Sequence, residues 1–202
     1  DDARENARRE SGEPGAACDP VWPERCIHFG SFSKVIAPAL RLGWITAPRE
    51  VIKVVEKLKQ AADLHSSGYD QQLVLSFLQS GALDPHLEQI RSAYGARLEA
   101  MASALTRYLP QTLRFIKPQG GMFIWATLAS NASTLELFRA AIAEKVAFVP
   151  GEAFYVNGES DNSMRLNFSN SSSAMIEEGV KRLASLINDN AHRLPASEAL
   201  AY

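Results

Sequence analysis

Long apolar runs are missing from this sequence: no stretch of its 202 residues approaches the roughly 18 apolar residues that a membrane helix requires. An excess of one charge is missing as well. Lys and Arg number 21 against 23 Asp and Glu, a net charge of −2, so no basic field exists to attract nucleic acid or an anionic membrane. Cysteine is scarce. Cys18 and Cys26 make neither a disulfide framework nor a zinc set, which makes a reducing cytoplasm the default compartment. The histidines (His28, His65, His86 and His192) stand at no metal-ligand spacing. There is no heptad, no internal repeat and no low-complexity tract. The chain starts Asp1-Asp2-Ala3-Arg4, without an initiator Met or a signal-peptide pattern, and reads as a piece of something longer. What it has in quantity is 46% hydrophobic residues, enough for a substantial core and too many for a disordered chain.

Residues 1–25 are polar and carry Gly and Pro (Ser11-Gly12-Glu13-Pro14-Gly15), so they read as an irregular arm. Cys26–Phe29 reads as a short buried strand stopped by Gly30, and Leu42–Ala47 as a second strand. Pro48 suits the first position of a helix reaching Asp63, with Val51, Ile52, Val55 and Leu58 on its inner face. A second helix runs from about Tyr69 to Leu78. The third is the clearest: Asp84 as N-cap, Pro85 next, then Leu87, Ile90, Tyr94, Leu98, Met101 and Leu105 in one stripe, stopped by Pro110. Leu113–Ile116 and Met122–Thr127 flank a Pro118-Gln119-Gly120-Gly121 turn and predict a hairpin. Ser133 and Glu136 form a capping box. Strands at Val146–Val149 and Met164–Phe168 follow, then a helix from Ser173 carrying Ile176, Val180, Leu183 and Ile187. From residue 84 the order helix–strand–strand–helix–strand–strand–helix describes a small, complete α+β domain. Residues 1–63 hold too few strands to complete a sheet.

The segment Gly30-Ser31-Phe32-Ser33-Lys34 through Arg41-Leu42-Gly43-Trp44 carries the chemistry. Lys34 follows two hydroxyls at the end of a strand, and Arg41 lies seven residues on. Two hydroxyl donors and a planar, permanently charged fork suit a phosphate group. A lysine beside them suits attack on an aldehyde. Phosphate and aldehyde together describe pyridoxal phosphate. A P-loop is excluded because Gly-x4-Gly-Lys-Ser/Thr is absent, and neither serine lies in a Gly-x-Ser-x-Gly elbow. Elsewhere, Trp44 and Trp125 read as core residues on strands, and the Glu177-Glu178 pair as favourable charge near a helix N-terminus.

Ser-x-Ser-Lys followed by x3-Pro-x2-Arg-x-Gly resembles the lysine signature of the class I/II, fold-type I pyridoxal-phosphate-dependent aminotransferases. The stretches Lys59–Ser67, Gln119–Trp125, Val149–Tyr155 and Met164–Ser169 resemble the branch that holds 2-aminoadipate, kynurenine and multi-substrate aminotransferases. The likeness is nearly continuous from residue 26 to about 187. It implies an α/β fold: the end (1–63) of a large cofactor-binding domain, a connecting helical segment (64–83) and a small C-terminal α+β domain (84–202).

The resemblance also implies roles. Lys34 matches the Schiff-base lysine and proton shuttle, Ser31, Ser33 and Arg41 the phosphate cradle, and Arg165 the arginine that grips the substrate α-carboxylate. Asp1 matches the aspartate that pairs with the pyridinium nitrogen, while Arg4 stands where the family has a tyrosine. Phe123 and Tyr155 match pocket-lining positions, and 64–69 lies near the partner subunit's site. The implied cofactor is pyridoxal 5'-phosphate, the substrates are amino acids and 2-oxo acids, and the assembly is a homodimer. The expected function is amino-group transfer, with little activity in a fragment of this length. Two alternatives stand beside it: a non-catalytic effector domain of a MocR-type regulator, and a lyase or racemase on the same scaffold. MocR regulators share the lysine motif but usually differ around 61–68.

Overall fold

The computed structural model describes residues 26–109, 111–156 and 162–191, and Asp1 lies outside them. Two units divide between Arg91 and Ser92.

In the first unit, β1 (His28–Ser31) and β2 (Gly43–Thr46) pair antiparallel, with His28 opposite Thr46 and Ser31 opposite Gly43. Sequence patterning places a buried strand at Cys26–Phe29. The strand instead starts two residues later, runs through Gly30 and leaves Phe29 70% exposed. Gly30 does not stop the strand but admits the Trp44 ring opposite it, because a Cβ there would lie 2.0 Å from Trp44 Cε2. His28 meets the same ring edge-on at 4.5 Å. Trp44, expected in the core, is instead 41% exposed on this two-stranded ribbon. Cys26 is disulfide-bonded rather than free.

Helix α1 (Arg49–Asp63) has Pro48 at its N-cap, one position before the N1 expected, and none of its residues is buried. The expected inner face is half-buried at Val51, Ile52 and Val55, and Leu58 stays exposed. Ion pairs Lys53–Glu50 and Lys59–Asp63, each 2.9 Å, span one turn and contribute only a few tenths of a kcal/mol, about 0.3–0.5 each. Helix α2 (Gly68–Gln79) is capped by Ser67, whose hydroxyl accepts from Asp70 N–H at 3.3 Å. Helix α3 (Leu83–Tyr108) starts one residue before its expected cap, so Asp84 sits inside the first turn. There its carboxylate faces the positive helix end, and Pro85 is tolerated because first-turn N–H groups have no partner within the helix.

The second unit contains a four-stranded antiparallel sheet in the order β3-β4-β6-β5. Its strands are β3 (Leu113–Phe115), β4 (Phe123–Leu128), β5 (Val149–Pro150) and β6 (Ser163–Asn167). Helices α4 (Thr134–Ala143) and α5 (Ser173–Ala191) complete it, giving the expected order of elements. Alternation along the strands sends Ile124, Ala126, Leu128, Met164 and Leu166 into one core. They meet Leu98, Met101 and Leu105 of α3, Leu137 and Ala141 of α4, and Ile176, Val180, Leu183 and Ile187 of α5 there. Strand β5 starts at Val149 rather than Val146, because Val146 N–H still bonds the Ala141 carbonyl and Lys145 takes a left-handed φ of 59° that turns the chain. Ser133 caps α4 by accepting from Glu136 N–H at 3.3 Å. No helix among the described residues is long and apolar enough to cross a membrane.

Candidate active site

The loop between β1 and β2 is built as a chain of small hydrogen bonds. Phe32 C=O accepts from both Ile36 and Ala37, making one helical turn of residues 32–36 that carries Ser33 and Lys34. Ser33 N–H donates to Ser31 Oγ at 3.2 Å. A 3-10 turn at Pro38–Leu40 returns the chain, and Phe32 N–H closes the loop on the Leu42 carbonyl at 3.1 Å. Arg41 then takes φ 50°, ψ 35°, a left-handed conformation costing a non-glycine residue about 1–2 kcal/mol. That backbone turn folds its side chain back over the loop. Nη1 reaches the Pro38 carbonyl at 3.2 Å and Ser33 Oγ at 3.5 Å.

Ser31, Ser33 and Arg41 are thereby connected into one donor set. Each serine oxygen accepts a bond, from Ser33 N–H or from Arg41, and so keeps its own hydroxyl proton to donate. The guanidinium keeps further N–H donors beyond those Nη1 uses. Lys34 adjoins this set, exposed, and forms no hydrogen bond or ion pair among the described residues. A primary amine on the residue next to Ser33, on the same turn as three anion donors, suits capture of a molecule that carries both a phosphate and an aldehyde.

Arg165 lies in the second unit, on the central strand β6, opposite Trp125 of β4 and Val149 of β5. Its neighbours Met164 and Leu166 point into the core, so strand alternation turns Arg165 to the other face. Its guanidinium carbon lies 4.2 Å from the Phe123 ring centre and 4.7 Å from that of Phe154. Nε is buried without a hydrogen-bond partner among the described residues. Trp125, expected in the core, is 37% exposed on this face and packs edge-on against Phe154 at 5.3 Å and Tyr155 at 6.1 Å. Tyr155 OH is 3.2 Å from Ser163 Oγ.

The structure thus unites three of the residues singled out from sequence, Ser31, Ser33 and Arg41, beside Lys34, and gives Arg165 an aromatic surround. Glu177 and Glu178 are tied in separate surface networks, Glu177 to Tyr108 at 2.8 Å and Glu178 to Arg182 at 3.0 Å. The Tyr108 hydroxyl bond, reinforced by the charge of Lys181, holds the Glu177 carboxyl below its ordinary range. Sequence reasoning passed over Phe154. Its only signal was a place within Val149–Tyr155, since nothing local tells that a 3-10 turn at Gly151–Phe154 delivers its ring to a strand residue 11 positions later.

Residues 12–183 match the family model described as aminotransferase class I and II. Aromatic-amino-acid aminotransferase 1 of Thermococcus litoralis is 40% identical over 185 residues, which are 90% of this chain and 44% of that protein. The 2-aminoadipate transaminase of Thermus thermophilus is 40% identical over 175 residues, 87% of this chain and 41% of that protein. The crystal structure of α-aminoadipate aminotransferase from Thermus thermophilus, complexed with N-(5'-phosphopyridoxyl)-L-leucine, matches with a TM-score of 0.80 at 37% identity. The match covers 93% of this chain and 46% of that one. The chain therefore spans less than half the length of these relatives. With the family model matching most of its length, and the fold shared with solved fold-type I structures, the chain belongs to the class I and II aminotransferase family.

Proposed function

We propose that this chain carries the cofactor-anchoring lysine, phosphate-cradle residues and the substrate-carboxylate arginine of a pyridoxal-5'-phosphate-dependent aminotransferase. In the whole protein the amino group passes between an L-amino acid and a 2-oxo acid. The observation that carries this reading is the hydrogen-bonded set Ser31–Ser33–Arg41 next to Lys34, which is exposed and has no partner among the described residues. The donor set fits the group: two hydroxyl protons and a guanidinium tied to the loop suit a phosphate dianion, and Lys34 follows Ser33 in the chain.

When bound, the cofactor supplies an electron sink for the substrate α-carbon. Ser31, Ser33 and Arg41 hold the phosphate end. Lys34 Nζ provides the covalent anchor and then moves the proton to and from the α-carbon. Arg165 binds the α-carboxylate through parallel N–H donors, which orients the α-C–H bond. In this reading Asp1 pairs with the pyridinium nitrogen. Residues 1–63 close the large domain, 64–83 connect, and 84–202 form the small domain. We read the whole protein as a homodimer. The apolar side chains exposed at Leu64 and Tyr69 support a second protein surface in that region.

The test is selective labelling. The chain is incubated with pyridoxal 5'-phosphate, reduced with borohydride, and the modified lysines are mapped by peptide mass spectrometry. Phosphopyridoxyl label is expected on Lys34 in preference to Lys53, Lys57 and Lys59 of α1. Arg41→Ala should weaken labelling roughly 10- to 100-fold, as loss of charge-assisted hydrogen bonds predicts. Equal labelling of the α1 lysines, unaffected by Arg41→Ala, would refute the assignment. Formation of a 2-oxo acid from an added L-amino acid reports the transfer itself.

A further inference from the structure

We propose that Phe123 and Phe154 act as a two-ring clamp on Arg165, positioning its guanidinium so that a carboxylate is received at the two Nη nitrogens. This rests on the reading of Arg165 as the carboxylate-binding residue. The clamp itself is assigned from three observations.

The first is where the rings come from. In the order β3-β4-β6-β5, strand β6 is flanked by β4 and β5. Phe123 belongs to β4, and Phe154 to the 3-10 turn that follows β5. One ring therefore approaches from each flank, and the guanidinium carbon lies 4.2 Å and 4.7 Å from their centres. Both distances are well inside the roughly 6 Å over which a ring face attracts a cation.

The second is which nitrogens remain usable. Nε is buried with no hydrogen-bond partner among the described residues. Neither Nη belongs to the buried unpartnered atoms, and Arg165 forms no hydrogen bond or ion pair among the described residues. The accessible donors are consequently the two Nη groups, the end of the fork. Ring faces cannot accept as a carboxylate does, so the clamp restricts the plane of the fork without consuming its donors. It also strips water from the cation beforehand, which strengthens the ion pair that follows.

The third is that the Phe154 side of the clamp is anchored. Gly151, at the start of its turn, packs directly on Ser163 of β6, with a hypothetical Cβ 2.7 Å from the Ser163 carbonyl oxygen. Tyr155, at the end of the turn, lies hydroxyl to hydroxyl with Ser163 at 3.2 Å. Trp125 buttresses the Phe154 ring edge-on. The turn is thus tied at both ends to a residue two places before Arg165 on the same strand.

A clamp and a specificity wall make different predictions. A clamp acts on the carboxylate head group and must affect every carboxylic acid by the same factor. A wall acts on the rest of the ligand. Pyruvate and phenylpyruvate share the 2-oxo acid head group and differ by one ring, so they separate the two. The experiment follows the Arg165 Nε–H resonance of the full chain by NMR. Its shielding from solvent slows exchange and keeps the signal visible, and Arg165→Lys identifies it by its loss.

In the wild type the resonance is expected to shift saturably with either acid. Phe154→Ala should weaken both affinities by the same factor, up to roughly tenfold, because the released Arg165 side chain must then be ordered on binding. Phe154→Tyr should restore them, because the ring face is retained. Phe154 is 46% exposed on a surface turn, so the fold survives either change. Phe123→Ala should act alike. Weaker binding of phenylpyruvate alone would make Phe154 a side-chain wall and overturn the clamp. Unchanged affinity for both acids in both alanine variants would overturn it too, while leaving Arg165 as the carboxylate residue. No response of Arg165 to either acid in the wild type would overturn the carboxylate reading itself, and the clamp with it. The Lys34 labelling above is read independently of all three.

Discussion

Gly151→Ala is the substitution whose cost follows most directly from the packing. A methyl at this position would lie 2.7 Å from the Ser163 carbonyl oxygen, 2.8 Å from its Oγ and 2.9 Å from its carbonyl carbon. Two of those atoms are backbone of β6, held in register by Thr127 of β4 opposite Ser163. They cannot rotate aside as a flexible side chain would. Gly151 has no positive φ, so alanine meets no backbone penalty and the cost is purely steric. Overpacking of this kind costs about 1–3 kcal/mol. The stiffer unfolded chain returns about 0.4–1 kcal/mol. The net loss is about 1–2 kcal/mol, a fall in Tm of roughly 5–15 °C for a unit of this size. Gly95 in α3 and Gly179 in α5 provide the internal control, because a Cβ at either meets nothing within 4 Å. There the same chemical change should stabilise by about 0.5–1 kcal/mol, through helix propensity alone. Circular-dichroism melting of the three variants decides the matter. If Gly151→Ala melts at or above the wild type, or all three variants shift alike, the steric argument fails. The displaced 151–154 turn carries Phe154, so the Arg165 Nε–H resonance should move in Gly151→Ala and stay in place in the two controls.

Other outcomes follow from the same structure. Phe168→Ala, at a ring 1% exposed in the second unit's core, should cost about 3–5 kcal/mol in urea denaturation. Leu58→Gln should change stability by less than about 0.5 kcal/mol, since α1 buries none of its residues. Ser133→Ala removes the acceptor for Glu136 N–H at the start of α4 and should cost about 1 kcal/mol. For Glu177, the Tyr108 hydroxyl bond depresses the folded-state pKa below the ordinary 4.5. Its contribution is therefore present above that value and is lost as pH falls through the folded one. Tyr108→Phe removes the first cause, so urea midpoints of the variant should depend less on pH below about 4.5 than those of the wild type.

The second unit was nearly all legible along the chain. Apolar stripes at helical spacing, a turn of Pro and Gly between two apolar runs and a capping box gave the order of its elements, although not the face that Trp125 occupies. In the first unit local signals placed the second strand and both helices but not what those elements bury. Val51, Ile52, Val55 and Leu58 have the period of a buried helix face, yet periodicity reports only that a face is apolar, not that anything covers it. Gly30 shows the same limit. Read locally it ends a strand, whereas its role is set by a tryptophan 14 residues away.

What the sequence by itself determined is the chemistry on offer: an amine after two hydroxyls, a guanidinium seven residues on, and the family to which that spacing belongs. Those are properties of residue type and order, which need no third dimension. Tertiary structure alone decided the rest. The left-handed turn at Arg41 brings its side chain back to Ser33 and joins three separate donors into one set. The meeting of Phe123 and Phe154 over Arg165 depends on strand order and on where a short turn ends. Contacts between residues distant in the chain depend on which elements pack together, and no local pattern records that.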